Sequence, residues 1–359
     1  MRIAILGTRG IPAHYGGFET FAEELGKRLA ARGHTVTIYC RERHSSPAYL
    51  GVKLVFLPTI RHKYLDTLAH TALSTLHAVT QGFDVILCCN AANAIFCWLP
   101  RVFGTPVALN VDGLERRRKK WNRLAKAWYL LSERLSTFCP THAVSDAVAI
   151  RAYYKERYRC ETTFISYGAE QGKLVGFDTL GRLGLEPLRY FLYVSRWEPE
   201  NNALLVREAF ERVDTDMRLA LIGDAPYAPE YIARVRDTAD ARIVMPGYVF
   251  GQGYKELGSH CFAYIHATEV GGTHPALIEA MGRGALVLYL GTVENREVAG
   301  ECGLAFTVSN LADVIRQALL LDPAERERLQ AAAMARVQER YSWDAVTTEY
   351  EALFARLVG

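Results

Sequence analysis

Short β-branched or apolar runs alternate with amphipathic stretches along the whole chain, which predicts parallel sheets covered on both faces by helices. In the first half the runs at 2–6, 35–40, 52–57, 85–89, 107–111 and 163–166 read as strands, and the stretches near 17–32, 64–80, 117–136 and 145–155 as helices. The first helix ends at Gly33 behind Arg28 and Arg32, a terminal glycine preceded by cations that complement the negative end of the dipole. Residues 168–187 then hold five glycines without sustained periodicity and read as a linker. A second series follows, with strands at 190–195, 218–222, 242–245, 262–266 and 286–289 and helices near 201–213, 229–238, 275–282, 311–320 and 323–340. Ser342 reads as the N-cap of a closing helix. The expectation is two doubly wound α/β domains, residues 1–170 and 186–340, with the last helix, about 342–357, packing back on the first. Ligands of such sheets lie beyond the carboxyl ends of the strands, so two facing domains would enclose a cleft.

A length of 359 residues agrees with two domains of roughly 150 each. Apolar types at 50% and charged types at 23% exclude a disordered, collagenous or disulfide-scaffold chain. Met1 runs straight into Arg2-Ile-Ala-Ile-Leu6 with no secretory pattern, and no apolar stretch reaches the roughly 18 residues of a membrane span, so the expected location is cytoplasmic, free or peripheral on the inner face of the cell membrane. The eight cysteines form no CxxC pair and no zinc-ligand spacing, so reduced thiols are expected, with neither a metal site nor a cofactor. The net charge of +3 hides an asymmetry: residues 1–170 carry 23 Lys and Arg against 13 Asp and Glu, residues 171–359 carry 19 against 26. A basic half suits a nucleic acid, an anionic membrane surface or a phosphate-bearing substrate.

Three segments carry candidate chemistry, each placed after a strand and before a helix. In Gly7-Thr-Arg-Gly-Ile-Pro-Ala-His-Tyr-Gly-Gly-Phe-Glu-Thr20, Gly16 and Gly17 let backbone N–H groups approach an anion at a helix start. The spacing is neither GxGxxG nor a Walker A loop, and the plainer reading is a long connection whose glycines only make turns. In Thr268-Glu-Val-Gly-Gly-Thr-His-Pro-Ala-Leu-Ile-Glu-Ala-Met281, Gly271 and Gly272 bare the backbone ahead of Pro275, which suits the first helical position. The N–H groups of residues 272–276, including Thr273 and His274, would hold a diphosphate, and Glu279 one turn deeper suits the two hydroxyls of a ribose. The competing reading of Glu279 is a solvated surface carboxylate. In Val194-Ser-Arg-Trp-Glu-Pro-Glu-Asn-Asn202, Arg196 offers a planar fork for two phosphate oxygens, or pairs with Glu198 or Glu200 instead.

Taken in order, the glycine loop, the helix ending in Arg32-Gly-His-Thr-Val-Thr37, the segment from Ser145, the Arg196 loop, Ile222-Gly-Asp-Ala-Pro-Tyr227, the 271–281 segment and the closing Tyr341-Ser-Trp-Asp-Ala-Val346 resemble the retaining glycosyltransferases of family four. The resemblance spans nearly the whole chain and is nearest to the bacterial rhamnosyltransferase-type subgroup. It implies the GT-B fold, a nucleotide-diphosphate sugar donor (dTDP- or UDP-linked), a lipid-linked or oligosaccharide acceptor, retention at the anomeric carbon and no metal. It further implies Glu279 on the ribose, Arg196 on the diphosphate, Gly16 and Gly17 near the donor phosphate and acceptor, and Asp112 near the donor sugar. Two departures stand out. Gly271 occupies the place of a family glutamate, with Glu269 the nearest acid, and Asn201 that of a family lysine, a missing cation that Arg9 is expected to supply. Rival functions are a nucleotide-sugar epimerase or hydrolase of the same fold and a non-catalytic nucleic-acid-binding protein. The sequence lacks the aromatic-interleaved stacking motifs of the latter, so no nucleic acid is expected.

Residues 112–136 set Leu114, Trp121, Leu124, Trp128, Leu131 and Leu135 on one stripe, with Arg116, Arg117, Arg118, Lys119, Lys120, Arg123 and Lys126 crowding its start. Three readings stay open: a core helix with a solvated basic end, an interfacial helix on an anionic leaflet, or a phosphate-binding wall of the acceptor site.

Overall fold

The computed structural model describes residues 1–13, 16–62, 64–119, 121–225 and 228–359. The chain forms two compact units. The first is Met1–Arg117, Trp121–Gly168 and Trp343–Gly359; the second is Arg118–Lys120 and Ala169–Ser342.

In the first unit the strands are β1 (Arg2–Leu6), β2 (Thr35–Cys40), β3 (Ala48–Tyr49), β4 (Val52–Phe56), β5 (Val85–Cys89), β6 (Val107–Asn110), β7 (His142–Ser145) and β8 (Thr163–Phe164). Their order is β3-β4-β2-β1-β5-β6-β7-β8, parallel except for the β3–β4 pair. Helices α1 (Gly17–Ala31), α2 (Asp66–Ala78), α3 (Trp98–Val102), α4 (Arg123–Leu135) and α5 (Val148–Tyr158) join them. Strands such as Val85-Ile-Leu-Cys-Cys89 are buried at every position, as a sheet covered on both faces requires. The closing helix, Trp343–Val358, belongs to this unit. Its Tyr350 ring lies 5.4 Å from Phe21 of α1, and Asn110 Nδ2 donates to the Tyr350 hydroxyl at 3.0 Å.

The second unit contains α6 (Asp178–Leu183), β9 (Tyr190–Val194), α7 (Ala203–Glu211), β10 (Arg218–Ile222), α8 (Pro229–Arg236), β11 (Ile243–Val244), α9 (Gly251–His260), β12 (Ala263–His266), α10 (Pro275–Gly282), β13 (Leu286–Leu290), α11 (Val293–Ala299), β14 (Gly303–Phe306), α12 (Leu311–Leu319) and α13 (Pro323–Arg340). Its sheet is parallel throughout, in the order β11-β10-β9-β12-β13-β14.

Several elements differ from the pattern-based expectation. Helix α4 starts at Arg123 because Asn122 caps it, its Oδ1 accepting from the Ala125 N–H at 2.9 Å, while residues 115–117 form a separate 3₁₀ turn. Ser145 ends strand β7, so α5 begins only at Val148. Residues 168–187 are not a bare linker. Glu170 Oε2 pairs with Lys255 Nζ at 2.8 Å, and buried Glu256 accepts the N–H groups of Thr179 and Leu180 at the start of α6.

Candidate active site

In the second sheet β9 has β10 on one side and β12 on the other, so the winding direction reverses between β9 and β12. The carboxyl ends of strands at such a switch are where an open α/β sheet receives a ligand. Strand β9 runs out into Ser195 and Arg196, and β12 into the loop of Gly271 and Gly272. Hydrogen bonds sew the two loops together. Asn202 Nδ2 donates to the Ala267 carbonyl at 2.9 Å and to Glu269 Oε1 at 3.0 Å, and the Glu269 N–H donates to the Glu200 carbonyl at 2.9 Å.

Arg196 holds the more open position. Its Nη1 lies 3.8 Å from Glu198 Oε1, beyond hydrogen-bond reach, and the side chain is 31% exposed. Such a pair contributes little in partial contact with water, so the fork can exchange it for two phosphate oxygens. Asn201 is a brace and not a stand-in for a cation. Nearly fully buried, it donates from Nδ2 to the Arg196 carbonyl at 2.7 Å, and its own carbonyl accepts the Tyr193 hydroxyl at 2.7 Å. Glu269 is engaged through both oxygens, the second 3.0 Å from Lys119 Nζ, a residue that groups with this unit.

Helix α10 starts as its sequence demands, with His274 at the N-cap, Pro275 in the first turn and no acid there. Glu279 is half-buried one turn in, its Oε2 accepting from the Tyr254 hydroxyl at 2.6 Å. Burial, and then the facing Glu279 carboxylate, push the Tyr254 phenol well above its ordinary range, so it stays a donor. At the loop itself, a Cβ on Gly271 would collide with His274 Nε2. The imidazole therefore takes the volume from which a side chain at 271 would project. His274 is held by Asn295: Nδ1 lies 2.5 Å from Oδ1, while the amide Nδ2 donates to the carbonyls of Thr268 at 3.0 Å and Leu290 at 2.9 Å. With Nδ2 so committed, Oδ1 is the acceptor and His274 Nδ1 carries the proton. The His266 ring lies 4.9 Å away, and the Nε2 atoms of both histidines have no hydrogen-bond partner among the described residues.

The other candidates lie in the first unit. Gly16 and Gly17 open α1, but that helix start already faces a carboxylate. Buried Glu19 takes the Arg9 N–H at 3.0 Å, and desolvation raises its pKa. The acid-free start of α10 is thus the better anion seat of the two. The Arg9 guanidinium lies 4.0 Å from Asp66. Asp112 follows β6 with φ +59°, its N–H donating to Asn110 Oδ1 at 3.0 Å, a left-handed conformation of the kind stored at functional positions. His14 and Tyr15 of the glycine loop and Pro226 and Tyr227 of the 222–227 segment lie outside the described residues.

Sequence reasoning passed over Asn202, the last residue of the Arg196 segment, and missed Tyr254, His266 and Asn295. The last three reach the site from separate elements, and no spacing within any one motif announces them. The buried histidines have a measurable consequence. Burial lowers the pKa of His266 and His274, and burial with Arg41 nearby takes His70 from 6.5 to about 4. The unfolded chain protonates these rings first, so their contribution to stability is intact above pH 6.5 and is lost as pH falls toward about 4. For His70 alone this amounts to about 3 kcal/mol. Glu19, raised by burial, works in the opposite sense. The melting midpoint is expected to fall between pH 7 and pH 5 and the fall to shrink in His70→Gln; a flat profile would contradict the burial of these rings.

Comparison with known proteins bears on each half. Residues 189–321 match the family described as Glycosyl transferases group 1, and residues 1–170 match one described as Domain of unknown function (DUF1972). No protein of curated function matches the chain. Sucrose-phosphate synthase from Thermosynechococcus elongatus is 19% identical with a TM-score of 0.79, over 99% of this chain and 98% of that one. Anabaena HepE, solved with UDP-glucose, is 15% identical with a TM-score of 0.80, over 99% and 100%. WaaG, described as a glycosyltransferase involved in lipopolysaccharide biosynthesis, is 15% identical with a TM-score of 0.74, over 99% and 100%. The chain has the two-domain α/β fold of the GT-B glycosyltransferases, and its group 1 domain makes it a glycosyltransferase.

Proposed function

We propose that this enzyme moves a sugar from a UDP- or dTDP-linked donor to a hydroxyl of a lipid-linked or oligosaccharide acceptor, with retention at the anomeric carbon, and that it works at an anionic membrane surface. One observation carries the donor half. At the β9/β12 switch the Arg196 fork and the acid-free start of α10 end adjacent strands, with Glu279 one turn deeper. Backbone N–H groups and a guanidinium stabilise the negative charge that a departing diphosphate gains, and the departing oxygen takes the acceptor proton on the same face. Glu279 accepts from the ribose hydroxyls, with Tyr254 holding its other side. The UDP-glucose bound by HepE supports a nucleotide-sugar donor. The resemblance of the glycine segments to rhamnosyltransferase-type enzymes supports rhamnose as the sugar, and Asp112, at the carboxyl end of β6, is assigned to the donor sugar.

UDP or dTDP at about 100 times its dissociation constant is expected to stabilise the protein by about 2.7 kcal/mol, read as a rise in melting midpoint, and duplex DNA to give none. Nucleoside diphosphate release that depends on a polyprenyl-diphosphate sugar supports transfer. Release at the same rate without acceptor points to a hydrolase or epimerase, and stabilisation by DNA alone would sink the donor-site reading.

A further inference from the structure

The start of α10 holds more than bare backbone. His274, at its N-cap, is 7% exposed, and its Nδ1 proton is committed to Asn295 Oδ1. The Asn295 amide cannot turn over to reverse that assignment, because its Nδ2 donates to the carbonyls of Thr268 and Leu290, neither of which an oxygen could replace as donor. Nε2 is therefore a lone pair, buried and without a partner among the described residues. Burial lowers the pKa of this ring and of the neighbouring His266 ring 4.9 Å away, so both are neutral at pH 7. Folded proteins keep few buried acceptors unmet, and one at the carboxyl end of a sheet strand is a place for a ligand's donor.

The lone pair decides what can approach. A phosphate oxygen is an acceptor itself, so Nε2 repels the anion that the N–H groups of α10 attract. It needs an O–H. In a nucleotide-diphosphate sugar the hydroxyls nearest the diphosphate belong to the ribose on one side and to the transferred sugar on the other. Glu279 serves the ribose, and it stands five positions along α10, about 140° around the helix from His274. The transferred sugar has no such carboxylate waiting. Glu269 is held through both oxygens, and residue 271 has no side chain, the imidazole filling the volume into which a Cβ there would project.

We propose that His274 Nε2 accepts a hydrogen bond from one hydroxyl of the donor sugar and so selects which sugar the enzyme uses. This rests on the donor-site reading above and names the side chain that distinguishes sugars within it. A carboxylate could span two adjacent hydroxyls, whereas a single imidazole lone pair takes one, so selectivity falls on one position of the sugar ring.

The test is calorimetric titration of the full chain with UDP, dTDP, UDP-glucose, dTDP-glucose and dTDP-rhamnose, in the wild type, His274→Phe and His274→Gln. Phenylalanine keeps a flat ring but has no lone pair, while glutamine brings an amide oxygen near the place of Nε2. His274→Phe is expected to bind the tightest of the three sugar nucleotides about three- to tenfold more weakly and UDP and dTDP as the wild type does, and His274→Gln to recover most of the loss. That sugar nucleotide is then titrated with each sugar hydroxyl replaced in turn by fluorine, which cannot donate. One replacement is expected to weaken wild-type binding by the same factor and to cost nothing further in His274→Phe. The ¹⁵N spectrum of the His274 ring needs no loss of side chain, and so holds the test together if His274→Phe fails to fold. It is expected to show an unprotonated Nε2 at pH 7 that shifts with the sugar nucleotide and not with UDP. Sugar-nucleotide binding that His274→Phe leaves intact overturns the proposal, as do equal losses for UDP and dTDP, which would assign Nε2 to the ribose, and a ring protonated on both nitrogens. So does an Nε2 signal that no sugar nucleotide moves, the mark of a buried water. A wild type that binds neither UDP nor dTDP removes the donor-site reading itself, and the proposal with it.

Discussion

Arg196→Lys is expected to lower kcat/KM by roughly 10²- to 10³-fold while leaving the melting midpoint where it was. The side chain is 31% exposed and its ion pair with Glu198 is loose at 3.8 Å, so the folded protein loses little with it. On the proposed donor-site reading, the transition state loses more. Lysine keeps the positive charge but cannot set two parallel N–H groups on a diphosphate whose charge grows as the glycosidic bond breaks. The loss should therefore appear in kcat as well as in KM. On the proposed donor-site reading, Glu279→Ala, read in the same assay, removes a hydrogen bond to a charged group, worth about 1.5–3 kcal/mol, or roughly 10- to 150-fold in affinity for the nucleoside diphosphate. That variant should weaken binding of the product UDP or dTDP itself. If both variants turned over donor at the wild-type rate, neither side chain could belong to the donor site.

Gly223→Ala should be the most damaging single methyl group in the second unit. Gly223 follows β10 with φ +141°, and a Cβ there would overlap the Ser195 carbonyl and press on the buried Trp197 ring. Neither neighbour can move cheaply. The Ser195 N–H donates to Ile222 at 3.2 Å and the Trp197 N–H to Asp224 at 3.0 Å, so the loop carrying Arg196 is hydrogen-bonded to both sides of this glycine. Backbone strain and overpacking each cost about 1–3 kcal/mol, together about 2–6 kcal/mol, or roughly 4–24 °C in melting midpoint. Gly247→Ala is the control. It also has a positive φ, +84°, but nothing lies within 4 Å of its added Cβ, so only about 1 kcal/mol is at stake. Equal effects of the two substitutions would show that the contact with Ser195 does not matter.

The elements most legible in the sequence are those whose hydrophobic period is long and whose ends carry their own signals. Strands Arg2–Leu6 and Thr35–Cys40 and helices Pro275–Gly282 and Pro323–Arg340 fall where the pattern puts them, the helices because a proline stands at each first position. Helix α9 was not legible. Gly251-Gln-Gly-Tyr-Lys-Glu-Leu-Gly-Ser-His260 is too rich in glycine to read as helix, and tertiary contacts hold it there. Missing α9 meant missing Tyr254, the partner of Glu279.

What the sequence by itself determined is the alternation that makes two parallel sheets, the basic first half, and the strand-to-helix segments that carry Arg196, Gly271 and Glu279. These depend on near neighbours, on side-chain period and on residues such as Gly and Pro that act through their own backbone. Tertiary structure alone decided that Asn201 braces a carbonyl, that Glu269 is already paired, and that His274 fills the space over Gly271. Each of these turns on which distant segment arrives next to a side chain. A hydrogen bond or a collision a few ångströms long joins residues that stand tens of positions apart, and no local pattern records the meeting.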